Sequence, residues 1–316
     1  MILVTGASGY LGSHIVKRLV GEGKSVRALV RDRSWAESEG RLAGLSIEWA
    51  VGDVTKPESL PAALQKAQAV IHTVAIAIEK GDRRYEDINY QGTVHLVDAV
   101  KAAGVKRIVN ICQLGADSRL PYRFLASKGK AQEYVAASGL DWTALRPAVM
   151  WGPEDEFANS FARLAPLSPL IFPIIGDGQA RFQPVWIEDV VTAAVKSLDD
   201  SSTIGQEYEL AGDEVLTIAE IERRTFAAIG ARRVMIPVPI SLLRVPVAFM
   251  SLMPAPPVTS SLLDLLKVDN TSKHNAIHRF VPRPRPFIAE NIAPYMRHFT
   301  VSNTLRGFLG RPVKSA

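Results

Sequence analysis

A chain of 316 residues that is 47% hydrophobic and 22% charged can bury one large core or two modest ones, which excludes disorder and low-complexity fibre. Its single cysteine, Cys112, rules out an internal disulfide and a Cys-based metal site, and points to a reducing compartment rather than a stapled secreted scaffold. The formal charge of +5 is unevenly placed: residues 271–316 carry eight Lys or Arg against the one acid Glu290, a net +7, which leaves the first 270 residues at −2.

From the N-terminus, Met1 to Val4 already reads as a strand, with no basic, apolar and small-residue leader pattern before it, so export is not expected. Short apolar runs predict strands at 2–4, 25–30, 47–51, 69–72, 107–111 and 142–145. Between them, apolar residues recur at three- and four-residue spacing, which predicts helices over 10–22, 57–66, 85–103 and 125–138. Gly104 and Gly139 stand where two of these helices should stop. Strands alternating with helices imply right-handed crossovers and an α/β fold, a doubly wound parallel sheet. Beyond Pro147 the alternation loosens: 164–175 is rich in Pro and Leu, Gly176-Asp177-Gly178 signals a turn, and a helix is predicted over 188–198.

Directly after the first strand, Gly6-Ala7-Ser8-Gly9-Tyr10-Leu11-Gly12 opens an amphipathic helix. In that context the pattern places backbone N–H groups and the positive helix end where a pyrophosphate can lie, and the missing side chains let the backbone approach it. Gly6, Ser8, Gly9, Tyr10, Leu11 and Gly12 are therefore expected cofactor contacts, and the fold reads as a Rossmann domain for a nicotinamide dinucleotide. At the end of the second strand, where such a fold reads the adenosine ribose, stands Arg31-Asp32-Arg33. A guanidinium first in line suits a 2′-phosphate, so NADP(H) is preferred; Asp32 keeps NAD(H) as the alternative. Asp53 and Val54, after the third strand, are placed at the adenine, and His72, Val74 and Ala75, after the fourth, at the inner ribose.

These pieces, with Asn89-x-x-Gly92-Thr93, Ser127-Lys128, Arg146-Pro147, Gly152-Pro153 and Asp189-Val190, resemble the short-chain dehydrogenase/reductase superfamily in its extended or atypical, epimerase/dehydratase-like branch. Gln113-Leu114-Gly115-Ala116-Asp117, Trp151-Gly152-Pro153-Glu154-Asp155, Pro256-Pro257-Val258-Thr259 and Leu266-Lys267-Val268-Asp269-Asn270 are most similar to the group containing the 39 kDa accessory subunit of respiratory complex I. The resemblance covers about residues 1–270. It implies a catalytic Tyr-x-x-x-Lys with a Ser at the preceding strand end, the Tyr moving a proton as hydride moves at the nicotinamide. Here Lys128 is present and is expected to hold the cofactor, but Phe124 stands where the Tyr belongs. The strand end reads Asn110-Ile111-Cys112-Gln113, with no hydroxyl before Ser118. Of the nearby residues, Tyr122 serves only if its helix starts late, Cys112 is a weak acid but at a buried strand end is more often a small core hydrophobe, and Gln113 can hydrogen-bond a carbonyl but supplies no proton.

The expected organisation is a Rossmann domain over 1–150, with late strands returning within 180–215, a smaller substrate or partner lobe over 151–270, and a basic tail over 271–316. The stretch 245–263 carries no charge, yet Pro246, Pro254, Pro256 and Pro257 break it, so it is expected to lie at a surface or in a core rather than to span a bilayer. The tail, with its Pro282-Arg283-Pro284-Arg285-Pro286 run, lacks the aromatic interleaving of a base-stacking surface, so nucleic acid is not an expected partner. No third ligand accompanies His274 and His278, and no metal site is expected. The functional expectation is an NADP(H)-binding structural or sensor subunit, cytoplasmic and peripheral on the inner face of a membrane or on a membrane-protein partner through its C-terminal region. The alternative is an NAD(P)H-dependent oxidoreductase acting on a quinone or isoprenoid.

Overall fold

The computed structural model describes residues 1–168, 170–239, 241–242, 247, 268–296, 298–300, 303 and 306. In the first half β1 (Ile2–Thr5), β2 (Val26–Val30), β3 (Glu48–Val51), β4 (Ala69–His72), β5 (Arg107–Ile111) and β6 (Asp141–Pro147) alternate with helices. These are α1 (Tyr10–Gly21), α2 (Arg33–Ser38), α3 (Leu60–Leu64), α4 (Gly92–Ala102) and α5 (Arg123–Ala136). The chain continues through β7 (Met150–Trp151), α6 (Ala158–Leu164), β8 (Ile171–Ile175), β9 (Arg181–Phe182), β10 (Val185–Trp186), α7 (Ile187–Asp199) and β11 (Gln206–Leu210). Then follow β12 (Leu216–Thr217), α8 (Ile218–Ala228), β13 (Val234–Val238), α9 (Ile277–Phe280) and α10 (Ala289–Met296).

Seven strands form one parallel sheet in the order β11-β6-β5-β4-β1-β2-β3. Helices flank it, α1 packing on α7 and α4 packing beside α3 and α5. A Rossmann-like α/β fold results. Strands buried on both faces read as unbroken apolar runs, which is why β4, with all four residues buried, is visible in the sequence. Leu3, Leu29, Val70, Leu96, Val100 and Ile108 form the centre of the core beneath the strands. Gly104 and Gly139 end their helices at φ +72° and +76°, a left-handed conformation only glycine adopts without strain.

The return of the chain to the sheet is fixed by one half-buried cation. The Arg107 guanidinium on β5 donates to the Asp141 carbonyl at 2.7 Å, to Thr143 Oγ1 at 2.8 Å, to Thr203 Oγ1 at 2.9 Å and to the Ser197 carbonyl. It thereby joins β5, β6, the end of α7 and the turn before β11. Several elements lie outside the sequence expectation, most of them beyond β6. The Pro- and Leu-rich stretch contains a true strand, β8, paired in parallel with β13, and the short helix α2 has no counterpart among the predicted helices.

The chain divides into two units. The first comprises Met1–Pro147, Ile187–Leu210 and His274–Arg283; the second comprises Ala148–Trp186, Ala211–Lys273 and the chain from Pro284 onward. The division does not set residues 271–316 apart as one segment. Within the first unit α9 packs on α7, with Lys196 Nζ donating to the Phe280 carbonyl at 2.6 Å, Arg279 pairing with Asp200 at 2.8 Å and Phe280 lying edge-on to Tyr208. Within the second unit α10 packs on α8 and the Phe287 ring meets Trp151. Ile277, Phe280, Phe287, Ile292 and Met296 are all buried, so apolar anchors interleaved among the basic residues hold this segment down. His274 precedes α9 while His278 lies on it, so the two do not share a helix face. Apart from the buried Val247, the uncharged stretch 245–263 lies outside the described residues, as do Leu266 and Lys267. Among the described residues no helix is long and apolar enough to cross a membrane.

Candidate cofactor site

The sharpest local constraint lies between β1 and α1. The chain turns at Gly6, whose φ is +67°, and Gly9 N donates back to the Gly6 carbonyl at 2.9 Å. A Cβ on Gly6 would lie 2.7 Å from Thr73 Oγ1, and one on Gly12 would lie 2.2 Å from the Gly6 carbonyl oxygen. Glycine is therefore required at both positions, for the turn and for the close approach of α1 to β1. Gly9 is the N-cap of α1; no side chain caps its first turn and no acid lies within it. A helix start with open N–H groups, no competing carboxylate and a bare glycine approach fits the pyrophosphate of a dinucleotide.

A cleft of about 750 Å³ opens over this loop, a size suited to a cofactor. Of the sequence-derived site residues, Gly6, Ser8, Gly9, Arg31, Asp53, Val54, Val74 and Ala75 line it together. Tyr10, Leu11 and Gly12 begin α1 and do not line it. Asp32 caps α2 instead, its Oδ1 accepting from Ser34 Oγ at 2.7 Å and from Trp35 N at 3.1 Å. These two bonds, the Ser34 one foremost, hold its carboxyl below the usual range. Arg33 pairs with Glu37 one turn along α2, which leaves Arg31 as the arginine of the trio that lines the cleft. One carboxylate oxygen of Asp53 accepts from Thr55 N and Thr55 Oγ1, both at 2.9 Å, fixing the loop after β3.

His72, expected at the inner ribose, is not among the residues that line the cleft. It is buried in the sheet, with Nδ1 2.7 Å from Thr5 Oγ1 and Nε2 3.0 Å from Thr93 Oγ1. Because Thr93 Oγ1 donates its own proton to the Asn89 carbonyl, Nε2 is the donor to Thr93 and Nδ1 accepts from Thr5. The ring is thus held neutral, and burial pushes its pKa down to about 3, with the nearby Lys128 adding to the effect. The imidazole ties β4 to β1 and α4.

Lys128 also lies outside the cleft lining, fully enclosed, with Nζ donating to the Ile111 carbonyl at 2.7 Å. Burial lowers its pKa. Phe124, one turn earlier on α5, sets its ring edge-on to Tyr85 at 5.6 Å. Helix α5 begins at Arg123 rather than later, so Tyr122 is its extended N-cap and does not occupy the position one turn ahead of Lys128. At the strand end Cys112 is buried, its thiol donating to the Lys128 carbonyl at 3.6 Å, and burial pushes its pKa up. Ser118, the first hydroxyl beyond, donates to Glu133 at 2.5 Å.

Residues 6–159 match the NAD(P)H-binding family. The chain carries an NAD(P)H-binding domain. Over 249 residues it is 32% identical to subunit 9 of the mitochondrial NADH dehydrogenase (ubiquinone) 1 alpha subcomplex of Arabidopsis thaliana, a match covering 75% of this chain and 60% of that protein. Over 232 residues it is 28% identical to the NAD(P)H azoreductase of Xenophilus azovorans, covering 73% of this chain and 74% of the relative. The triphenylmethane reductase of Citrobacter sp. shares the fold, with a TM-score of 0.75 at 21% identity over 94% of this chain and 99% of that one. The chain spans about three fifths of the length of the Arabidopsis subunit.

The cleft of the NAD(P)H-binding domain has a second wall that sequence reasoning missed. Asp82, Arg83, Asp87, Ile88, Gln91 and His95 line it, from the loop after β4 and the π-helical turn Glu86–Gln91 that leads into α4. Asp87, Ile88, Gln91 and His95 fall inside the helix predicted over 85–103, whose apolar spacing does not mark them as cleft residues. His95 Nδ1 lies 2.9 Å from the Val54 carbonyl, which joins this wall to the loop after β3.

Proposed function

We propose that this chain binds NADP(H) through its Rossmann unit and holds it as a structural ligand or redox sensor, without ordinary carbonyl chemistry. The observation that carries this reading is the pair Phe124 and Lys128. The phenyl ring can neither give nor take a proton, and the lysine is enclosed and committed to the Ile111 carbonyl. Neither Cys112 nor Ser118 supplies the missing hydroxyl: one is a buried thiol and the other is bound to Glu133. A bound nicotinamide would offer hydride, but these residues offer a carbonyl substrate no proton. Kinship with a complex I subunit supports a place in a larger, membrane-associated assembly, with the C-terminal region as the contact.

A ligand that binds only the folded chain stabilises it by about 2.7 kcal/mol when present at a hundred times its Kd. Thermal melting of the full chain with NADPH and with NADH is the direct test, followed by incubation of the NADPH complex with aldehydes, quinones and azo dyes while absorbance is followed. Stabilisation by NADPH without its oxidation is expected. Absence of any stabilisation by either nucleotide defeats the reading.

The azoreductase relative favours a second reading, an NAD(P)H-dependent oxidoreductase on a hydrophobic acceptor such as a quinone or isoprenoid. Acceptors of this kind need less help from a protein acid than a ketone does, so Phe124 does not argue against them. Oxidation of NADPH by quinones but not by aldehydes selects this alternative.

A further inference from the structure

We propose that Arg83, on the hairpin after β4, binds the diphosphate of the nucleotide from the side of the phosphate loop opposite Arg31. The inference rests on the nucleotide reading above and adds a residue to it. In the sheet β4 and β2 are the two neighbours of β1, whose end carries the glycine loop. Arg31 follows β2 directly and Arg83 comes from the segment after β4, so the two guanidiniums reach the loop from its two flanks. Both line the cleft with Gly6, Ser8 and Gly9.

The backbone that presents Arg83 is fixed. Lys80 and Arg83 form an antiparallel bridge, with Arg83 N donating to the Lys80 carbonyl at 3.1 Å and Gly81 turning at φ +58°. Before the hairpin, Glu79 accepts from Tyr85 N at 2.9 Å and from both terminal nitrogens of Arg123 at 2.8 and 3.0 Å. Further back, Ile76 N donates to Asn89 Oδ1 at 2.8 Å, and Tyr85 OH donates to the Ala77 carbonyl at 2.8 Å. The loop is thereby clamped to α5 and to the π-helical turn. Arg83 itself is exposed, and among the described residues no carboxylate pairs with it.

Charge explains why a second cation is needed. Asp53, Asp82 and Asp87 line the same cleft, so Arg31 alone leaves the wall acidic where a diphosphate must lie. The glycine loop offers the diphosphate N–H dipoles only. A guanidinium on the far flank matches two phosphoryl oxygens with parallel donors and offsets the aspartates.

The test is calorimetry on the full chain with NADPH, NADH, ADP and adenosine. Arg83→Ala should weaken NADPH, NADH and ADP alike, by about ten- to hundredfold, and leave adenosine unchanged. Arg84→Ala, the exposed neighbour that does not line the cleft, should change none of them. Unchanged affinities in Arg83→Ala overturn the inference, and so does a loss confined to NADPH, which would place Arg83 at the 2′-phosphate. A wild-type chain that binds none of the four overturns the nucleotide reading and this inference with it.

Discussion

Lys128 Nζ donates to the carbonyl oxygen of Ile111 at 2.7 Å, one helical turn from a phenylalanine in place of a proton donor. Loss of a positioned general acid lowers a rate by roughly a hundred- to ten-thousandfold, and the strand end supplies no serine to hold a carbonyl oxygen. The expected outcome is no NADPH consumption above background with a panel of ketones and aldehydes. Phe124→Tyr is expected to leave that unchanged, because Ser118 stays bound to Glu133 and cannot reach the strand-end role. Turnover near one per second by the wild type on any carbonyl would sink this account.

Arg31 and Asp32 are adjacent and play different parts. The aspartate caps α2 through Ser34 and Trp35, while the arginine lines the cleft. A carboxylate already accepting two hydrogen bonds is poorly placed to read a ribose 2′-hydroxyl, so preference for NADPH is expected. Arg31→Ala should weaken NADPH by about 1.5–3 kcal/mol and leave NADH nearly unchanged. Equal wild-type affinities for the two nucleotides, measured by calorimetry, contradict the assignment.

How far the sequence can be read follows from what each residue does. Strands β1 and β4 are legible because strands covered on both faces read as unbroken apolar runs, whereas β3, at the sheet edge with none of its four residues buried, is legible only from its short Trp-Ala-Val run. The returning strand β11 reads Gln-Glu-Tyr-Glu-Leu at the sheet edge, with little of it buried, and periodicity places it only within a broad span. His72 defeats sequence reasoning because a strand-end histidine looks the same whether it faces a ligand or two threonines. The basic segment reads as a tail when charge alone is counted; the spacing of Ile277 and Phe280, one buried face of a short helix, is the signal that anchors it. Arg83 belongs to no motif and reaches the cleft only through a hairpin whose anchors, Asn89 and Arg123, lie elsewhere in the sequence.

Two glycines on α1 offer a sharp contrast. A Cβ at Gly12 would stand 2.2 Å from the Gly6 carbonyl oxygen, a backbone atom that cannot yield without moving the loop, and 2.9 Å from Thr73 Oγ1. A Cβ at Gly21 would meet nothing within 4 Å. Gly12→Ala is therefore expected to destabilise the fold by roughly 1–3 kcal/mol and to remove nucleotide-dependent stabilisation. Gly21→Ala is expected to be neutral or to stabilise by about 0.5–1 kcal/mol. Thermal melting with and without NADPH reads both; a Gly12→Ala chain that melts and binds like wild type refutes the close-approach argument.

Glu222, on the face of α8 within the second unit, is fully enclosed, and its two carboxylate oxygens have no hydrogen-bond partner among the described residues. Burial pushes its pKa up to about 8 from 4.5. The folded chain thus holds a proton there that the unfolded chain releases, so stability is greatest below pH 4.5 and is lost as pH rises to about 8. Asp155, pushed up to about 6 by burial, acts in the same sense over a lower range. His72, pushed down to about 3, acts in the opposite sense below its ordinary pKa of 6.5. Between pH 6.5 and 8 the difference between wild type and Glu222→Gln isolates this one carboxyl, since the other contributions are common to both chains. Denaturant unfolding should show wild type losing on the order of 1–2 kcal/mol relative to the variant across that window. Parallel pH profiles for the two proteins would mean that Glu222 is ionised and hydrated in the folded chain.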